Sequence, residues 1–141
     1  MRGAYRQRTL LSGGGKNASV ERACYFFEPM PPPYTRHLFV CTNRRPDGSP
    51  RGCCATKGGE ELRLSFKKEL DAQDVKGVRA NSAGCLDACE RGASVAVYPD
   101  NVWYGGVTPA DVKEIVSEHI IGGRPVQRLL MKLPIERAKK D

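Results

Sequence analysis

Long apolar runs are missing from this 141-residue chain. No stretch approaches the roughly 18 consecutive apolar residues that a membrane-spanning helix needs, so no membrane role is expected. Aromatic residues make up only 7% of the sequence, with a single tryptophan, and they are not interleaved with Lys and Arg. Stacking platforms for single-stranded nucleic acid are therefore not expected. No C-x-x-C pair occurs, which removes the usual signature of a thiol oxidoreductase. Gly13-Gly14-Gly15-Lys16 lacks the spacing of a phosphate-binding loop, and no apolar strand precedes it. The Arg-rich start (Arg2, Arg6, Arg8) has no continuous apolar segment of the length a secretory leader requires. A cytoplasmic protein is expected, in which cysteines are reduced or bound to metal and do not form a disulfide framework.

What the chain does have is positive charge, with 23 Lys and Arg against 16 Asp and Glu, a formal net of +7. Residues 1–36 carry six basic and two acidic side chains, and residues 37–141 carry 17 and 14. Over half of the excess thus sits in the first quarter. That quarter contains Ser12-Gly13-Gly14-Gly15-Lys16 and the proline-rich Pro29-Met30-Pro31-Pro32-Pro33. It reads as a basic, irregular extension over 1–36. The ordered domain is expected over 37–131, followed by a charged tail over 132–141.

Six cysteines are present, at 24, 41, 53, 54, 85 and 89. Four of them fall at C-x12-C, C-x30-C and C-x3-C, using Cys41, Cys54, Cys85 and Cys89. Thiolates are soft ligands that favour zinc, copper(I) or iron–sulfur clusters, and four of them are the usual set of a [2Fe–2S] centre. The last pair lies in Gly84-Cys85-Leu86-Asp87-Ala88-Cys89-Glu90-Arg91-Gly92, a glycine-bracketed loop able to aim backbone N–H groups at sulfur. Structural zinc is the competing reading, although only Cys85 and Cys89 have the spacing of a zinc knuckle.

Hydrophobic periodicity places these cysteines on a framework. His37-Leu38-Phe39-Val40-Cys41 reads as a short buried strand. Residues 42–59, rich in Pro, Gly, Asn and Arg, read as a loop. Leu62, Phe66 and Leu70 recur every four residues and predict a helix over 60–73. A second strand is expected within 75–81. Ser94–Tyr98 and Val102–Val107 predict a hairpin. Thr108-Pro109-Ala110-Asp111 opens a final helix with a core stripe of Val112, Ile115, Val116, His119 and Ile120, ended by Gly122 and Gly123. Strand, helix, strand, hairpin, helix is the order of a thioredoxin-like α/β fold, with a central mixed β-sheet flanked by helices.

His37-Leu38-Phe39-Val40-Cys41, Arg51-Gly52-Cys53-Cys54, Gly84-Cys85-Leu86-Asp87-Ala88-Cys89-Glu90 and Val95-Ala96-Val97-Tyr98-Pro99-Asp100-Asn101-Val102-Trp103-Tyr104-Gly105 together resemble the thioredoxin-like [2Fe–2S] ferredoxins (Shethna-type) of bacteria. The similarity runs from about His37 to Leu130 and includes Gly122-Gly123-Arg124-Pro125-Val126. The resemblance implies a homodimeric one-electron carrier between redox enzymes, without catalysis of its own. By motif position it implies that Cys41, Cys54, Cys85 and Cys89 hold the [2Fe–2S] cluster. Cys53 falls where the family has a non-ligand, and Cys24 lies outside the matched region. The alternative is a redox-responsive or protective partner of a large redox enzyme. Arg44, Arg45, Arg51 and Arg91 lie near the ligands in sequence, and some of them are expected to form a positive docking rim for an acidic redox enzyme. Asp87 stands between the last two ligands, where its charge is expected to lower the reduction potential. His37 and His119 are expected in packing or surface roles. One of Trp103 and Tyr104 is expected to face the core and the other the surface.

Overall fold

The computed structural model describes residues 32–132. Cys24, the glycine stretch and most of the basic extension lie outside these residues, as does the tail from 133 onward.

The apolar run before the first site cysteine forms β1 (Arg36–Cys41). Its alternation sends Leu38 and Val40 into the core, while His37 and Phe39 face the other side of the sheet. A long loop leads to α1 (Gly59–Ala72), whose Leu62, Phe66 and Leu70 are buried as their spacing predicts. The chain then returns along β2 (Val78–Ala83), parallel to β1, with Leu38 opposite Ala80 and Cys41 opposite Ala83. This strand begins inside the expected window and runs two residues past it. Gly77 takes a left-handed φ of 70° immediately before it, and its carbonyl accepts the N–H groups of Thr35 and Arg36. The register with β1, not the local apolar content of Val75, sets where pairing starts.

β3 (Val95–Tyr98) and β4 (Val102–Tyr104) form the expected hairpin. β4 is shorter than the β-rich run that predicted it. β3 also pairs antiparallel to β1, so the mixed sheet has the order β2-β1-β3-β4.

The final helix starts where the sequence places it but is not uniform. A 3₁₀ turn (Pro109–Asp111) leads into a single α turn, α2 (Val112–Glu114), and then into a π-helical stretch (Ile115–Ile121). Val112, Ile115, Val116, His119 and Ile120 are all buried. The Thr108 hydroxyl and N–H both donate to the Asp111 carboxylate, at 2.7 and 2.8 Å. This returns the acidic half of a capping box to the helix start. Gly123, at φ 72°, ends the helix.

Leu38, Val40, Val95, Val97, Phe66 and Ile115 belong to one core, so α1 and the final helix pack into the same interior. The opposite sheet face carries aromatic side chains: His37 stacks on Phe39, and Phe39 meets Tyr98 edge-on. Trp103 lies half-buried with its indole N–H donating to the Tyr98 hydroxyl, whereas Tyr104 is fully buried. The expected division between these two neighbours is observed.

His119 is a core residue. Tyr104 accepts the Val126 N–H at 3.0 Å and meets His119 Nδ1 at 2.8 Å, and His119 Nε2 lies 2.7 Å from Asp100. Arg36 donates to the second oxygen of Asp100 and to the Ile120 carbonyl. A proton on Nε2 fits this chain of contacts. Tyr104 then donates to Nδ1, and Nε2 donates to the carboxylate. The network ties β1, the hairpin turn, β4 and the final helix together.

Candidate metal centre

The first site cysteine is fixed by the sheet. Cys41 closes β1, and its N–H donates to the Ser94 carbonyl at 3.1 Å. The loop after it turns back through successive contacts, Ser49 N–H to Pro46 O, Gly52 N–H to Ser49 O and Ala55 N–H to Asn43 O. This reversal carries Cys54 back to Cys41, and the two thiols lie side by side. Both are about 1% exposed. The start of α1 packs directly on their backbone. A β-carbon on Gly59 would lie 2.3 Å from the Cys41 oxygen and 3.0 Å from that of Cys54, so only glycine permits this approach.

The second arm is the loop after β2. Asp87 adopts a left-handed φ of 58°, curling the C-x3-C segment, and its N–H donates to Cys85 Sγ at 3.3 Å. Cys85 and Cys89 Sγ then lie 3.4 Å apart. A short 3₁₀ turn (Cys89–Arg91) follows. Lys57 donates to the Cys89 carbonyl at 2.6 Å, and the Ser94 hydroxyl donates to the Ala88 carbonyl at 3.2 Å. The two arms are therefore tied to each other through the segment that carries Cys54 and through β3. Cys85 is exposed and Cys89 buried, which puts the second pair at the protein surface.

One cationic side chain is aimed at this pair and a second at the carboxylates beside it. Arg45 places Nη2 at 3.5 Å from Cys85 Sγ and 3.6 Å from Cys89 Sγ. Its Nε is buried with no hydrogen-bond partner. Arg51 is buried and bonds Asp87 and Glu90. Of the four arginines near the ligands, Arg45 and Arg51 turn inward to the site and leave the rim to the other two. Only Arg44 and Arg91 of the four are exposed. The contacts of Arg45 and Arg51 span 36 to 44 residues, and no local pattern announces them.

These surroundings separate the thiols chemically. Burial raises the Cys54 thiol to about 11, reinforced by the Cys41 thiol beside it. Burial also opposes ionisation of Cys85, yet the Asp87 N–H, the Cys89 thiol and Arg45 outweigh it and hold Cys85 below the ordinary range. Cys89 is pushed up, first by burial and then by Cys85. Cys53 is turned away from this arrangement, toward Thr56 and the Arg45 backbone. It lines a separate hollow of about 120 Å³ formed by 45–49, 52 and 56, and the N–H groups and hydroxyl there lower its thiol to about 7.

The structure thus brings Cys41 together with Cys54, and Cys85 together with Cys89. Among the described residues, no three Cys, His, Asp or Glu side chains converge as a single-ion site. Two pairs of thiols supply four cysteine donors, the number that a [2Fe–2S] cluster takes from the protein. The exposed sulfur of Cys85, the backbone N–H donors and the unpartnered buried N–H of Arg45 suit an anionic, sulfur-rich group.

No family model matches the chain. A protein named 2Fe-2S ferredoxin from Aquifex aeolicus is 45% identical over 98 residues, spanning 68% of this chain and 88% of that one. Another of the same name from Clostridium pasteurianum is 46% identical over 94 residues, spanning 66% and 92%. The 1.5 Å crystal structure of the wild-type thioredoxin-like [2Fe-2S] ferredoxin from Aquifex aeolicus superimposes with a TM-score of 0.66 at 44% identity, covering 70% of this chain and 98% of that chain. On these matches, the chain belongs to the family of thioredoxin-like [2Fe–2S] ferredoxins.

Proposed function

We propose that the chain carries single electrons between redox enzymes, using a [2Fe–2S] cluster held by Cys41, Cys54, Cys85 and Cys89. The observation that carries this reading is the pairing of Cys41 with Cys54 and of Cys85 with Cys89, on segments that Lys57 ties together through the Cys89 carbonyl. When bound, the cluster supplies a centre that accepts and releases one electron. The protein's part is to hold and tune it. β1 and the start of α1 fix Cys41 and Cys54 in the interior, while the left-handed turn at Asp87 presents Cys85 at the surface, where a partner can approach. The Asp87 N–H and the Arg45 guanidinium donate toward sulfur and stabilise negative charge there.

Docking is the finer part of the proposal. Arg44 and Arg91 are exposed and flank the ligand loops in sequence, which supports an acidic face on the donor or acceptor. A homodimer is supported by the half-covered aromatic sheet face of His37, Phe39, Tyr98 and Trp103. The ferredoxin domain over 37–131 and a cytoplasmic location complete the reading. Among the described residues, no helix is long and apolar enough to cross a membrane.

Anaerobic purification tests the central claim. About two irons and two acid-labile sulfides per chain, with a reduced-state EPR signal after dithionite, are the expected result. A colourless protein without sulfide would overturn it. Serine at any of the four positions is expected to reduce cluster content, and serine at 53 is expected to leave it unchanged. Binding of one large enzyme in a single redox state, without turnover of electrons, would point instead to a redox-responsive partner protein.

A further inference from the structure

We infer that Arg51 is a positioning residue: its guanidinium clasps the Cys85–Cys89 loop to the loop that carries Cys54 and offsets the carboxylate charge beside the sulfurs. The inference rests on the ligand assignment proposed above.

Arg51 is only 6% exposed, which is unusual for a residue in a surface loop. Nε and Nη2 donate to the two oxygens of Glu90 at 2.8 and 3.2 Å, and Nη1 donates to Asp87 at 2.9 Å. A buried guanidinium is tolerated only when its fork is met by acceptors, and here the fork is bidentate on one carboxylate and bonded to a second. The partners are 36 and 39 residues away and flank Cys89. The clasp therefore joins two segments that must keep a fixed relation if the thiol pairs are to serve one group. Arg45 also crosses between them, but it does so by contacting the sulfurs themselves. Arg51 contacts only carboxylates, so its hold does not depend on what the sulfurs carry.

Charge follows from the same geometry. Asp87 and Glu90 bring two negative charges to the ligand loop, and Arg51 returns one positive charge between them. Adding an electron nearby is opposed by uncompensated negative charge. Asp87 was expected from the sequence to lower the reduction potential. Its ion pair with Arg51 offsets part of this effect, and removing Arg51 withdraws that offset.

The test uses the full chain purified anaerobically, comparing the parent with Arg51→Gln, Arg51→Lys and Glu90→Gln. Arg51→Gln should make reduction about tenfold less favourable, a downward shift of about 59 mV for one electron. It should also release the cluster to a chelator about tenfold faster and speed amide exchange in 85–91. Arg51→Lys should recover most of the potential, because the charge is kept. It should not recover cluster retention, because an ammonium lacks the planar fork. Glu90→Gln removes the bidentate acceptor without touching Arg51; it should raise the potential and speed the same amide exchange. It also carries the test if Arg51→Gln does not accumulate. A parent-like potential in Arg51→Gln, or no recovery in Arg51→Lys, would refute the charge role. Unchanged exchange in both Arg51→Gln and Glu90→Gln would refute the clasp. Amide exchange is read on the protein as isolated, with or without iron. A parent that binds no cluster would sink the ligand assignment and leave the clasp measurement standing.

Discussion

Gly92 sits beside the buried thiol pair, and adding one methyl group there tests how tightly the site is built. A β-carbon at position 92 would lie 2.7 Å from Cys54 Sγ and 3.4 Å from both the Cys89 oxygen and Lys57 Cδ. Non-bonded heavy atoms rest at roughly 3.5–4.0 Å, so about 1 Å must be found. The φ of −67° and ψ of 162° at Gly92 lie in the extended region, outside the left-handed region that favours glycine. Nor can Cys54 yield easily. It is about 1% exposed, and its carbonyl accepts the N–H groups of Lys57 and Gly59 at 3.1 and 2.9 Å. Overpacking of this kind costs about 2 kcal/mol, which for a domain of this size lowers the unfolding midpoint by roughly 8–16 °C. The displaced sulfur should also reduce iron and sulfide per chain. Gly84, next to Cys85, provides the control, since a β-carbon there meets nothing within 4 Å. Gly84→Ala should retain parent stability and iron content. Thermal unfolding by circular dichroism, with iron and sulfide assays on the same samples, reads both effects. A Gly92→Ala protein with parent stability and full iron would show that Cys54 is not confined as described.

Three further outcomes follow from the same contacts. Burial disfavours ionisation of Asp111, but the Thr108 N–H, Arg128 and the Thr108 hydroxyl together hold its carboxyl below the usual 3.8. Its stabilisation is therefore complete above that value and is lost as pH falls through the lower folded one. Thermal unfolding between pH 6 and pH 2 should show this loss in the parent and a shallower loss in Asp111→Asn. Tyr104→Phe removes the oxygen that accepts the Val126 N–H and meets His119, and should cost about 2 kcal/mol by denaturant unfolding. Combined with His119→Phe it should cost clearly less than the sum of the two single changes; strict additivity would deny the network. Arg45→Gln should slow alkylation of Cys85 by iodoacetamide at neutral pH in iron-free protein, because Arg45 is one of the groups holding that thiol down. An unchanged rate would show that Arg45 does not act on the sulfur.

Much of the framework was legible because it is written in local periodicity. Leu62, Phe66 and Leu70 marked α1, short β-rich apolar runs marked β1 and β3, and Thr108-Pro109 marked the start of the final helix. Where pairing partners decide, the local reading drifted. β2 began at Val78, because Gly77 and the register with β1 set its start. The π-helical stretch over Ile115–Ile121 buries the same residues that an α-helix would, so the apolar stripe does not distinguish the two.

The site divides in the same way. Side-chain chemistry and spacing, which are properties of the chain alone, determined that soft-metal ligation was available and which thiols were candidates. Folding decided that Cys54 points toward Cys41 while Cys53 points into a different hollow, although the two residues are adjacent. It also decided that Arg51 is buried against Asp87 and Glu90 and is not a surface charge. The reason is physical. Burial preference repeats along a strand or helix and can be read residue by residue. The direction of a loop side chain and the partner of a charge depend on segments 36 or more residues away, which meet only once the sheet has formed.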